Sequence, residues 1–274
     1  NKTFAAAQTA GTWTLLSGHA GFPAASTFTG TDLTYVPTDD TWSEGVLYHG
    51  GNVSTATKHV LGAGATIVAA AGAPWIIMAI DLIGFVPLSG TNVSTTGTKT
   101  VTMTALASGG GTGDRYPTGT GLELFVAADT ALGVNAPTCV INYSDTGGGA
   151  GATTSFTSTA SLPLGALLNT GTAAGKFNPF LAKAAGDTGV SDIVSLVWSG
   201  TAHASGTVII GLCRPLFTIP VPATGLYTKV DFLNAFPSLP RIRDGANIQF
   251  LVFNTGATSS AGSVMIDFDY AYGG

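Results

Sequence analysis

Short apolar runs of strand length, cut apart by glycine, threonine and proline, recur along this whole chain. The longest, Pro74–Pro87 (PWIIMAIDLIGFVP), is fenced by prolines and carries Asp81 near its middle. It falls short of the roughly 20 uninterrupted apolar residues of a membrane-spanning helix and predicts a strand. Leu122–Ala128, Cys139–Tyr143, Ile193–Trp198, Val208–Cys213, Ile248–Phe253 and Val264–Tyr272 predict strands covered on both faces. Thr98–Leu106 sets Val101 and Met103 on one face and Thr100, Thr102 and Thr104 on the other, the period of two of a half-buried strand. Thr153–Thr159 repeats that logic around Phe156. Helical spacing is confined to Leu162–Leu168 and Phe177–Ala185, which predict two short helices.

Between these runs lie clusters such as Ser108–Gly113 and Gly147–Gly151, whose composition predicts turns and not phosphate loops. Asn247–Asn254 and Ser263–Tyr272, joined through Thr255–Gly262, predict a C-terminal hairpin with a long loop. About ten to twelve strands without intervening helices imply an all-β fold, a jelly-roll-like antiparallel β-sandwich. The sandwich is expected over residues 46–274. Residues 1–45 differ: rich in Ala, Thr and Gly, with Trp13, Phe22, Phe28 and Trp42 spaced irregularly. They predict an N-terminal arm that uses these four aromatics to pack on its own body or on a neighbour.

Composition narrows the function classes. Charged residues make up 9% of the 274 and hydrophobic ones 45%, against about 25% charged in an ordinary soluble domain. Disordered chains have the opposite bias, so this one folds. With 10 Lys+Arg against 15 Asp+Glu and a net charge of -5, it lacks the basic field that neutralises phosphates, and no direct nucleic-acid partner is expected. No membrane partner is expected either, and Asn1–Ala5 lacks the basic segment and apolar core of a signal peptide. Solitary soluble proteins keep more surface charge to resist association, so the composition points to an oligomer.

Chemistry-bearing residues are sparse. His19, His49, His59 and His203 lie far apart and none forms the close pair of a zinc site. His49 and His59 are close enough in sequence to meet across a hairpin, but structural or solvent-facing histidines are expected. Cys139 and Cys213 fall in apolar runs and predict buried free thiols. No Gly-x-Ser-x-Gly turn occurs, the only glutamates are Glu44 and Glu123, and Asp39-Asp40 is the sole adjacent acidic pair. No enzymatic activity and no cofactor are expected. Asp145–Gly151 (DTGGGAG) lacks the alternating carboxylates of a strong calcium loop and predicts a hairpin turn.

The segment richest in information is Pro215–Pro222 (PLFTIPVP), followed by Lys229–Leu233 and Phe236–Ala246. Proline cannot donate to a ladder, so the first part predicts an edge or crossover and not a central strand. Arg241 and Arg243 beside Asp231 and Asp244 form either a local charge cluster or an intersubunit contact.

Pro215–Pro222, leading through LPRIRDGA (Leu239–Ala246) into the C-terminal strands, resembles tailed-bacteriophage virion proteins over residues 205–274. The resemblance implies a jelly-roll capsid decoration (cement) subunit, commonly a homotrimer. Such a subunit is made in the host cytoplasm and binds the capsid exterior through the major capsid protein, bridging neighbouring capsomers. Two other classes stand beside it. A carbohydrate-binding β-sandwich of a phage fibre or adhesin would stack sugars on Trp13, Trp42 or Tyr116; a major capsid protein would form the shell itself.

Overall fold

A computed structural model describes the chain except for residues 5, 6, 43–46, 48, 54, 55, 69–73, 104, 105, 107–114, 172–177, 236, 237, 257–261 and 274. Its first strands are β1 (Lys2–Thr3), β2 (Thr12–Leu15), β3 (Val36–Pro37), β4 (Thr57–Val68), β5 (Trp75–Leu88), β6 (Gly97–Thr100), β7 (Glu123–Ala128) and β8 (Thr138–Ser144). Then follow β9 (Ala150–Ala152), β10 (Phe156–Thr157), β11 (Asp192–Ser199), β12 (Val208–Val221), β13 (Thr228–Asp231), β14 (Arg241–Ile242), β15 (Ile248–Asn254) and β16 (Ser263–Gly273). Two single-turn helices, α1 (Thr91–Ser94) and α2 (Phe232–Ala235), interrupt them. The chain is an all-β antiparallel sandwich protein, as its periodicity predicts.

It divides into two compact units: unit 1 is Asn1–Ser26, Asp39–Asp81 and Pro215–Gly274, and unit 2 is Thr27–Thr38 and Leu82–Arg214. The long strands β5 and β12 each give residues to both. The first 45 residues are likewise shared, and β1 and β2 within them are paired strands.

In unit 1, β4 is the centre of one sheet, paired with β16 on one side and with β13 and β14 on the other. β15 is the centre of a second, between β2 and the first half of β5. Side chains from both sheets share one core: Val60, Ala65 and Ile67 from β4, Trp75 and Ile77 from β5, Ile248 and Val252 from β15. The second half of β12 adds Phe217, Ile219 and Val221, and α2 adds Phe232. Every residue of β15 is buried, which fits a sequence that is apolar on both faces apart from Gln249 and Asn254.

In unit 2, β8 pairs with β9, β10 and β11, and β11 pairs with β6. The first half of β12 pairs with β7, and β3 with the second half of β5. Ile141 and Tyr143 of β8, Leu196 and Trp198 of β11, Leu124 and Val126 of β7, and Ile210 and Leu212 of β12 meet in its core.

Several expectations need correction. The two C-terminal strands do not form a hairpin: β15 pairs with β2 and β5, whereas β16 pairs with β1 and β4. Leu162–Leu168 is not a helix, because Pro163 and Gly165 at φ +81° break it and leave only a 3-10 turn at Leu168–Gly171. No helix forms over 178–185; Phe177 lies outside the described residues, as does all of Ser108–Gly113. Cys139–Tyr143 and Val264–Tyr272 are not covered on both faces, since burial alternates along each. The proline segment, by contrast, is the edge it was expected to be: it is the second half of β12, past the point at Cys213 where the register with β7 ends, before the first proline. Pro215 and Pro220 thus avoid that ladder, as their missing N–H requires.

Candidate functional site

The proline segment and the LPRIRDGA stretch, apart in sequence, build one place in unit 1. After β13 pairs with β4, Asp231 turns the chain: its Oδ1 accepts the Leu233 amide at 3.0 Å and its Oδ2 the Asn234 Nδ2 at 2.5 Å. An aspartate capping the first turn of a helix is favourable for this reason, and α2 begins there. Phe232 is driven inward against Phe217 of β12, ring centroids 5.2 Å apart. The chain then returns past Ser238, Leu239 and Pro240, where the Pro240 carbonyl accepts the Val60 amide at 2.9 Å. What remains between β12 and this return is an open cleft of about 320 Å³, lined by Met78, Phe217, Phe232, Leu239 and Pro240, with Thr218 and Ser238 on its exposed rim.

Behind the cleft, the end of LPRIRDGA is clasped to residues 49–53. Asp244 Oδ1 accepts the Val53 amide at 3.0 Å, the Gly245 amide donates to Asn52 Oδ1 at 2.7 Å, and His49 Nε2 meets the Ala246 carbonyl at 3.0 Å. Arg241 is exposed and Arg243 half-buried. Asp231 and Asp244 are both occupied by backbone amides; Phe236 and Pro237 lie outside the described residues.

His49 leads to a feature the sequence reading missed. Lys58 is buried, and its Nζ meets His49 Nδ1 at 2.8 Å, the His49 carbonyl at 2.8 Å and the Gly51 carbonyl. Lys2 is buried in the same manner, donating to the carbonyls of Ser17 (3.3 Å), His19 (3.1 Å) and Ala24 (2.8 Å). In unit 2, Arg115 is buried with its Nη2 on the carbonyls of Thr38 (3.1 Å) and Leu82 (3.3 Å). Three of the ten basic side chains therefore act as struts between backbone carbonyls. Burial pushes Lys2 down to about 8 and lowers Lys58 from its ordinary value. A signal for Lys58 was present: it lies two residues before Val60, on the inward phase of β4.

The histidines are interior. His19, His49 and His203 are buried, and His59 is half-buried. Burial, reinforced by the nearby Lys2 charge, holds His19 down to about 4; His49 and His203 are lowered chiefly by burial as well. Ser158 Oγ and His203 Nε2 are 3.0 Å apart, a nucleophile–base spacing, but both are buried and the pair is tucked under Trp198, whose ring centroid is 5.7 Å from that of His203. Cys139 and Cys213 are buried free thiols. Asp145 is used up within its own hairpin, its Oδ1 accepting the amides of Gly147 (2.8 Å) and Gly149 (2.7 Å). Among the described residues no cluster of three His, Cys, Asp or Glu side chains could hold a metal.

The four aromatics of the expected arm separate. Trp13 and Phe28 are buried, Trp13 against Phe253 and Phe28 against Phe85. Trp42 is half-buried, with its Nε1 donating to Ser26 Oγ at 3.3 Å. Phe22 alone stands out, at 83% exposed. It has company in unit 1: Val68, Leu226, Tyr227, Leu233, Met265 and Tyr272 are also exposed, whereas unit 2 exposes only Val134 and Val194 among the described large apolar residues. Comparison with protein-family models, curated proteins and solved structures finds no match to the chain.

Proposed function

We propose that this chain is a structural subunit of a virion, a capsid decoration or cement protein. In this reading it binds the outer shell through the major capsid protein, bridges neighbouring capsomers and associates with itself as a homotrimer. The observation that carries the reading is the uneven exposure just described: seven of the nine exposed large apolar side chains among the described residues fall in unit 1. The chain carries only 9% charge, and three of its ten cations are withdrawn into the interior. Apolar contact area with charge depleted from its centre is the composition of a stable interface. The carbohydrate-binding reading loses the three rings expected to stack sugars, because Trp13 is buried and Trp42 and Tyr116 are half-buried; the exposed rings among the described residues are Phe22, Tyr227 and Tyr272 instead.

The test adds purified chain to tailed-phage particles that lack it and follows co-sedimentation and the temperature of genome release. Binding with a raised release temperature is expected. A chain that ignores particles yet binds a glycan array would replace this reading with the adhesin one.

A further inference from the structure

The buried ring of His49 has only one way to satisfy its neighbours. Its Nε2 meets the Ala246 carbonyl at 3.0 Å and its Nδ1 meets Lys58 Nζ at 2.8 Å. A carbonyl only accepts, so Nε2 carries the hydrogen; an ammonium only donates, so Nδ1 offers its lone pair. The other two hydrogens of Lys58 go to the carbonyls of His49 and Gly51. The pair therefore holds a single proton between its two nitrogens. A second would set N–H against N–H across 2.8 Å, where both side chains are shut away from water.

The backbone is shaped around this pair. Gly50 and Gly51 follow the ring at φ +84° and +75°, left-handed values under which the carbonyls of residues 49 and 51 reach one ammonium. A Cβ on Gly50 would lie 2.6 Å from the Tyr270 hydroxyl, and the Tyr270 ring centroid is 5.7 Å from Lys58 Nζ. Two residues further on, Asn52 and Val53 make the clasp to Gly245 and Asp244. The ring thus anchors one end of a segment whose other end is tied to the same turn. Burial lowers His49, the Lys58 charge lowers it further, and Asp40 opposes both without prevailing. Asp244 and Asp40 act on Lys58 in the sense that keeps it charged. The remaining titratable groups around the pair are His59 and Arg241, opposite each other in register between β4 and β14, Arg243 beyond them, and Tyr272 of β16 opposite Lys58.

We infer that the His49–Lys58 pair is an acid-operated latch: when the ring takes a proton from solvent, residues 49–53 let go of Asp244–Ala246. The latch stands whether or not the chain assembles. It makes one surface segment of unit 1 answer to pH while the strands around it stay paired. Asn52 is exposed and Val53 half-buried, so this part of the segment enters water without uncovering the core.

The test follows amide exchange of the full chain by NMR between about pH 7.5 and about pH 5, corrected for the intrinsic pH dependence of exchange. The closed segment resists a proton that the open one accepts near pH 6.5, so the clasp holds above that value and opens as pH falls below it. Opening at the Val53 and Gly245 amides should rise by up to about tenfold for each pH unit below about 6.5, and Leu251 of β15 should not follow. His49→Gln presents an amide hydrogen to Ala246 and an oxygen to Lys58 but does not titrate. It should keep the protection of wild type at neutral pH and lose the pH dependence. In the wild-type chain alone, the ring signals of His49 should titrate in step with the opening of the two amides, a readout that does not require the variant to fold. Amides still protected at the acid end, amides that open together with Leu251, ring signals that titrate out of step, or a His49→Gln chain with unchanged pH dependence would each overturn the latch.

Discussion

The two units are built from the same kinds of strand, yet they treat their surfaces in opposite ways. Unit 2 ties its polar exterior into itself: Thr130 to Thr207 (2.9 Å), Thr118 to Thr120 (2.8 Å), Thr146 to Thr188 (3.2 Å), Asn142 to Ser195 (2.8 Å). Unit 1 instead turns apolar side chains outward on the sheet of β4, β13 and β16. There Gly62 and Gly64 leave a trough in β4, bridged from Tyr227 to Asp267 (3.0 Å) and from Lys229 to Asp269 (2.5 Å). With few charges available, threonine-to-threonine bonding makes a neutral surface that water still wets, while Val68, Met265 and Tyr227 make one that gains by being covered. In the proposed assembly, this contrast would put the contacting surface on unit 1.

The largest expected effect tests the interior of unit 1. Lys58→Met removes the donor to three acceptors in a buried place, so the chain should lose roughly 3 kcal/mol or more in urea unfolding. Trp13, Trp42 and Trp75 report unit 1 and Trp198 reports unit 2; a loss seen equally early at Trp198 would show that the strut is not local to unit 1.

Acid should come next. His19 is held down to about 4 by burial and by Lys2, so the unfolded chain takes up the proton near pH 6.5 while the folded chain resists it. The stability is present above that value and is lost as pH falls from about 6.5 toward 4, by about 3 kcal/mol across the window. His49 and His203 are lowered too and add loss in the same direction. His19→Gln should flatten the urea midpoint between pH 7 and pH 4.5; an unchanged slope would remove His19 from the account.

A pair of glycine substitutions sharpens the comparison at smaller scale. A Cβ on Gly211 in unit 2 would lie 2.1 Å from the buried ring of Phe125, and one on Gly64 in unit 1 would lie 2.1 Å from the hydroxyl of the exposed Tyr227. Gly211→Ala should cost about 1–3 kcal/mol because the ring has nowhere to go. Gly64→Ala should stay within about 1 kcal/mol, since Tyr227 swings into solvent. Equal costs would mean that Tyr227 is as fixed as a core residue.

The smallest effect concerns the two described ion pairs. Lys229–Asp269 in unit 1 is exposed, at 46% and 59%, and Lys183–Glu123 in unit 2 is sheltered, at 11% and 25%. Lys229→Ala should not shift the thermal midpoint measurably, whereas Lys183→Ala should lower it. Salt that abolishes the second difference would place Lys183 in open solvent.

Much of this was legible beforehand, for local reasons. Proline fences located β5, and a period of two gave a buried Val101 beside an exposed Thr102, although β6 itself ends at Thr100, because the alternation of faces is set by residues next to one another. The Asp145 hairpin, the buried thiols and the absence of long helices follow from composition over a few residues. By contrast, nothing in Trp13, Phe22, Phe28 and Trp42 says which of the four stays outside. Trp13 is covered because β2 pairs with β15, whose residues are more than two hundred positions away, and Phe22 is held out by a bridge between Gly21 and Lys2.

The amino-acid sequence by itself therefore determined that the chain is mostly strand, where β5, β7, β8, β11, β15 and β16 run, and that it has little ionic surface; β4, the centre of a sheet, and the open faces of β8 and β16 did not follow from it. Only the tertiary structure decided which strands meet. Thr255–Gly262 joins β15 to β16, and a linker of that length closes a hairpin or crosses between sheets with equal ease. Each residue spans up to about 3.3–3.6 Å, sheets pack about 10 Å apart, and loop-closure entropy changes slowly with length. The choice fell to burial: β15, apolar on both faces apart from Gln249 and Asn254, goes between β2 and β5, where every residue is covered, and alternating β16 goes beside β4, where one face is open. The same packing brought Pro215–Thr218 to Leu239–Pro240 and made a cleft of two segments whose sequences hold no trace of each other.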